Sequence, residues 1–243
     1  LSALIYKAFN GGPPPGDPTP TPTPTVGPDP EGQLKLQEIR GMVEKLAIRI
    51  NQRGEVFDDD FLIQIRAATE SYRTEMFTDA ERLRSEIRRA ASASGIPSQL
   101  MFVLAASRSG FKDDQTVAGC GTDPSGVGVL KVPPQLMAQF GAGQATDQRT
   151  AAEVAAKHLE EMMGGQSDNF IYAVACFGQP RARIGEIEEQ TDPQERRNFP
   201  ALVKKGDITT EEASKAICFF AAGIVAENPN QFGVNARSFV ELY

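Results

Sequence analysis

The chain has 243 residues, is 40% hydrophobic, and carries 25 basic against 32 acidic residues, a formal net charge of -7. That length supports one sizeable core or two small ones, and the acidic balance without any basic tract argues against nucleic acid as a partner. Three cysteines, Cys120, Cys176 and Cys218, lack metal-ligand spacing and have only His158 to join them, which argues against zinc; no metal and no cofactor is expected.

A start at Leu1 rather than Met suits a fragment or a processed product. Residues 1–9 (LSALIYKAF) are apolar and too short to span a bilayer; the trimmed end of a membrane helix and a plain stub are both open readings. Residues 10–32 place proline at nearly every second position through the Pro-Thr run, which fixes φ and removes donors. A semi-rigid spacer without secondary structure is expected there. A Pro-Thr tether after an apolar stub suits an anchored extracytoplasmic protein; an ordinary interdomain linker is the plainer reading.

From residue 33 the pattern is helical. Leu34, Ile39, Met42, Val43, Leu46 and Ile50 form one amphipathic stripe, and Phe61, Ile65, Ala68, Tyr72 and Met76 a second. Thr78 followed by Glu81 reads as a capping box opening the next helix, which carries Leu83, Ile87 and Ala90 and stops at Gly95. Pro97 suits the first turn of an apolar helix holding Leu100, Met101, Val103 and Leu104. Residues 119–134 are Gly- and Pro-rich and read as loop, with one short strand around 126–132. Helices follow at 151–163 and 170–177. Thr210 reads as the cap of a long final helix, with Glu211 and Glu212 in its first turn, Gly223 inside it and Asn228-Pro229 ending it. The expected class is mainly α. Cys176 and Cys218 fall on apolar stretches and should be buried; Cys120, in the Gly-rich loop, is the expected exposed thiol. One disulfide with a free thiol and three buried thiols both remain open.

Residues 96–111 (IPSQLMFVLAASRSGF) resemble the lytic transglycosylase signature, an Ile-Pro start and an apolar helix ending in Glu-Ser-Gly-Phe. Ser109, Gly110 and Phe111 match that ending, and Arg108 stands at the glutamate. Further matches follow in order. Residues 128–134 (GVLKVPP) are similar to the family's Gly-Leu-Met-Gln-x-x-Pro segment. Asp147 and Arg149 resemble its Asp-x-Arg stretch, and residues 175–178 (ACFG) fall where it has Ala-Ala-Tyr-Asn. Phe199, Leu202, Gly206, Glu212 and residues 219–234 (FFAAGIVAENPNQFGV) resemble the membrane-bound lytic transglycosylase D branch. The resemblance spans roughly residues 40–243. It implies a goose-lysozyme-like fold, with a stub at 1–9, a linker at 10–32, N-terminal helices at 33–94 and a lytic-transglycosylase-like domain at 95–243. The helices before Gly95 should pack on that domain, their stripes being too narrow for a core of their own.

In the family one glutamate protonates the glycosidic oxygen and then takes the proton of the sugar 6-hydroxyl. Arginine can do neither, since it stays protonated and offers no acceptor. The resemblance puts Lys131 where the family has Gln, Phe177 where it has Tyr and Gly178 where it has Asn. The chain is therefore expected to be a catalytically inactive peptidoglycan-binding or scaffold module of the cell envelope. Cleft candidates are Arg108, Ser109, Lys131, Phe177 and Gly178, with Ser109 closing the helix. Arg108 and Lys131 either form a cationic cleft for an anion, or Arg108 pairs internally with Glu or Asp. Two alternatives stay open: an active enzyme with a relocated carboxylate (Asp113, Asp114, Asp123 or Glu153), and a protein-interaction module without glycan contact. Expected partners are peptidoglycan strands or an envelope protein, outside the cytoplasm, with a membrane tether preceding Leu1.

Overall fold

The computed structural model describes residues 30–50, 52, 54–164 and 170–241. The readings of 1–9 as a stub and of 10–29 as a spacer lie outside them. The fold is mainly α, with ten α-helices among the described residues: α1 Pro30–Arg49, α2 Asp59–Thr69, α3 Arg84–Ala93, α4 Ser98–Ser109, α5 Pro134–Gln139, α6 Gln148–Met163, α7 Phe170–Ala175, α8 Ala182–Gln190, α9 Phe199–Lys205 and α10 Thr210–Glu227. Helix α1 begins at Pro30, so 30–32 are helical rather than spacer; proline suits a first turn, where its missing N–H has no partner to lose.

Helix α10 runs through the middle. It packs against α4, α2, α7 and α1, while α3 bridges α6 and α4. The face that α1 gives to this core is Ile39, Val43 and Leu46, continued by Ile50 just past its end, each at most 5% exposed. Helices α1, α2 and α3, all before Gly95, thus share one apolar cluster with the rest. Helix α10 is apolar almost all round, as a helix enclosed by neighbours must be. At its centre Gly223 makes the close approach: a Cβ there would collide with Leu46 Cδ2 and meet Val103 Cγ1 at 3.1 Å. Gly223→Ala should therefore overpack the α1–α4–α10 junction and cost about 1–3 kcal/mol. Thermal melts of the two proteins read this directly, and equal melting temperatures would mean that the three helices do not meet there.

Helix boundaries follow caps more closely than apolar runs. Asp58 caps α2 by accepting from Phe61 N at 2.9 Å, and Asp147 caps α6 by accepting from Thr150 N at 2.9 Å, so α6 opens at Gln148 rather than at 151. The cap of α10 is Thr209, not Thr210: Thr209 Oγ1 accepts from Glu212 N while Glu212 accepts from Thr209 N, a complete capping box. The box expected at Thr78 does not form. Its hydroxyl donates to Glu75 O at 3.0 Å, closing a 3₁₀ turn at Thr74–Phe77, and α3 starts only at Arg84. The second stripe is likewise divided, Tyr72 and Met76 lying beyond the end of α2. Helix α7 stops at Ala175, short of 177. The short strand expected around 126–132 is a single antiparallel bridge, Val127 to Val132, and no strand occurs among the described residues.

Cys120 is not an exposed thiol. It is 3% exposed and bonded to Cys218 of α10 across a sequence separation of 98 residues. The apolar side of α10 carries Cys218 up to the Gly-rich loop, and the bond draws Cys120 under cover. Cys176 is the free thiol, buried as expected.

Candidate functional site

Several segments, including the end of α4, the loop that follows it, the chain after α7 and the start of α10, meet at one cleft of about 600 Å³. The last turn of α4 brings Arg108, the chain just after α7 brings Phe177 and Gly178, and the loop before α5 brings residues 116–123. Two bonds hold that loop: Val117 N donates to Arg108 O at 3.0 Å, and the Cys120–Cys218 disulfide ties it to α10.

Arg108 is the centre of the arrangement and is 4% exposed. Its Nε donates to Leu130 O at 2.7 Å and its Nη2 to Lys131 O at 2.9 Å. Its guanidinium lies 4.7 Å from the centroid of the Phe177 ring. Both hydrogen-bonding partners are backbone carbonyls, so the internal Glu or Asp pairing is corrected: among the described residues Arg108 makes no ion pair. Burial lowers its pKa to about 10, against the opposing charge of Asp123, so it remains a cation at neutral pH.

The other candidates divide. Phe177 and Gly178 line the cleft with Arg108. Ser109 turns away and donates to Val129 O at 2.6 Å, closing the helix onto the bridge loop. Lys131 does not line the cleft, which corrects its expected place there. It is 1% exposed, sits at φ 49°, and its ammonium donates to Asp113 O behind the wall. Burial, and then the neighbouring charge of Arg108, lower its pKa, against Asp113 and Asp114. What Lys131 contributes to the site is its carbonyl. Lys131 and Phe111 are the two non-glycine positive-φ residues among the described ones, and both flank Arg108's turn. Such backbone persists only where its surroundings hold it.

Gly178 sits at φ 89° with Pro133 Cγ 2.9 Å from where a Cβ would be, so this position excludes a side chain without strain. Its N–H donates to Nε2 of His158 at 3.1 Å. His158 is buried edge-to-face against Phe177, ring centroids 5.3 Å apart, and burial with the Arg108 charge lowers its pKa to about 4. A neutral His158 that accepts at Nε2 is thus the form the fold requires.

Sequence reasoning passed over the polar wall. Glu212, 1% exposed, accepts from Arg183 Nε at 2.8 Å and Nη2 at 2.9 Å, from Gln179 Nε2 at 3.1 Å and from Thr209 N at 2.8 Å. Burial alone would raise its pKa, but Arg183 and the Thr209 N–H outweigh it and hold the carboxyl at about 2. The sequence marked Glu212 as a helix-dipole charge and as a position of the family resemblance, but not as the acceptor that gathers these donors. Lys215, one turn on, is 9% exposed and lines the cleft beside Arg108, paired to Glu211 at 3.0 Å.

Of the four carboxylates weighed as a relocated acid, Asp123 alone lines the cleft. It is exposed, and hydrogen bonds from the Ser125 hydroxyl and N–H lower its pKa, the opposite of what a general acid needs. Glu153 pairs with Arg149 at 3.0 Å. A carboxyl raised to about 7 by burial does exist, Glu55, but it lines a different pocket, with Gln52 and Phe57. Among the described residues no group of three His, Cys, Asp or Glu could hold a metal ion, and no helix is long and apolar enough to cross a membrane. The chain matches no family model, no curated protein and no solved structure.

Proposed function

We propose that the chain is a lytic-transglycosylase-like module of lysozyme-like fold that has lost its acid and serves as a non-catalytic peptidoglycan-binding or scaffold domain of the cell envelope. One observation carries the reading: the segments that resemble the family's motifs, the end of α4, the bridge loop and residues 175–178, converge at one cleft around Arg108. That is where the family resemblance puts the glutamate. The groups around Arg108 suit binding rather than proton transfer, since the guanidinium is charged, fixed and without an acceptor. An extracytoplasmic location, tethered on the side of residues 1–29, completes the proposal; the Cys120–Cys218 bond supports it, because disulfides persist in oxidising compartments.

Incubation with purified sacculi tests this. The protein should be retained on them and should release no anhydro-muropeptides detectable by mass spectrometry. Released anhydro-muropeptides would overturn the non-catalytic reading, and failure to be retained would favour a protein-interaction module. Arg108→Glu should restore little or no activity, because its carboxylate would face the Leu130 and Lys131 carbonyls, acceptor against acceptor. Adding Gly178→Asn brings strain, given φ 89° and the Pro133 contact.

A further inference from the structure

The guanidinium of Arg108 has two edges, and only one is used. Leu130 O and Lys131 O occupy the side edge, Nε and Nη2. The end edge, formed by Nη1 with the second N–H of Nη2, is a fork matched to a carboxylate. Among the described residues Nη1 has no hydrogen-bond partner, it is not shut off from solvent, and Arg108 lines the cleft. Two carbonyls fix one edge and the Phe177 ring covers a face, so the free edge is held ready at little further entropic cost. Lys215 adds a second, 9% exposed cation whose partner Glu211 is itself 67% exposed in its side chain.

We propose that the cleft binds a carboxylate-bearing ligand, with one carboxylate on the end fork of Arg108 and Lys215 as the second cation. The cleft's own anions, Asp123 and Glu211, balance its two cations. A monoanion therefore fits better than a phosphate dianion, which would meet both acids. The carboxylate has two sources, a peptide stem attached to a glycan or the terminus of a free peptide. The first rests on the peptidoglycan reading above, and the second does not.

Calorimetric titration of the whole chain separates them. The probes are a peptide-bearing muropeptide, the same molecule with its carboxylates converted to methylamides, the peptide Ac-Lys-D-Ala-D-Ala, and its C-terminal amide. The muropeptide should bind, and amidation should weaken it about ten-fold or more, the size of a lost charged hydrogen-bond pair. Arg108→Gln should abolish the difference between acid and amide. Equal binding of acid and amide forms overturns the carboxylate site while leaving glycan binding intact. Amide-sensitive binding of the peptide with no gain from the sugar supports the site and counts against the glycan reading. No binding by any probe overturns the proposal. The acid-amide comparison needs only the unmodified protein, so it decides even if Arg108→Gln unfolds.

Discussion

Glu212→Ala should destabilise the fold by about 3–5 kcal/mol, the range for removing one partner of a buried ion pair. The side chain is 1% exposed and joins three elements: it closes the capping box of α10, takes both Nε and Nη2 of Arg183 from α8, and accepts from Gln179 beyond α7. Its loss leaves Arg183 with Asp207 O at 2.7 Å and the exposed Glu186 at 3.5 Å. Urea melts at pH 7 measure the cost, and a loss below about 1 kcal/mol would place the pair among ordinary surface bridges. Glu212→Gln keeps the shape and removes the charge, and it separates the two contributions by pH. Glu212 is held at about 2, below its ordinary 4.5. Its stabilisation is thus fully present above pH 4.5 and is lost as pH falls toward 2. The Gln variant should lose less stability than the unmodified protein across that window. His158, depressed from 6.5 to about 4, acts in a higher window: its contribution is present above pH 6.5 and lost as pH falls toward 4. In a pH series the stability gap between the two proteins should stay constant above pH 4.5 and close only below it.

Reduction of the Cys120–Cys218 bond, or the paired change Cys120→Ser and Cys218→Ser, should cost about 4.7 kcal/mol. That is the chain-entropy expectation for a closed loop of 98 residues. The loss should fall unevenly. The loop at 116–123 lines the cleft and is otherwise pinned to α4 by the Val117 to Arg108 bond, so ligand binding should weaken more than the core loosens. In the native protein all three cysteines should resist alkylation, two because they are bonded and Cys176 because it is buried with its thiol pushed up to about 12. After unfolding without reductant, one alkyl group should add; with reductant, three. Three additions without reductant would show that the bond is absent in solution.

Much of the helical framework was legible from residue spacing. Ile39, Val43 and Leu46 of the α1 stripe lie on its buried face, with Met42 half-buried at the edge, because a 3.6-residue period places those side chains on one side whatever they pack against. The long α10, its acidic first turn and its Asn228-Pro229 end were equally local. Local cues misled where two turns competed for one residue: Thr78 bonds back to Glu75 instead of capping forward. At the site, the sequence alone determined that a non-titrating cation, Arg108, ends an apolar helix, flanked by Ser109 and Gly110. It also determined that Phe177 and Gly178 carry neither hydroxyl nor amide. Only the tertiary structure decided what those residues meet. Lys131 adopts φ 49°, which turns its ammonium behind the wall and its carbonyl toward Arg108. Cys120 finds Cys218 across 98 residues, and Glu212 collects donors from α8 and from the chain after α7. The reason is physical: periodicity specifies a face within a few turns, whereas hydrogen bonds and disulfides depend on ångström distances between elements that only the packed core sets.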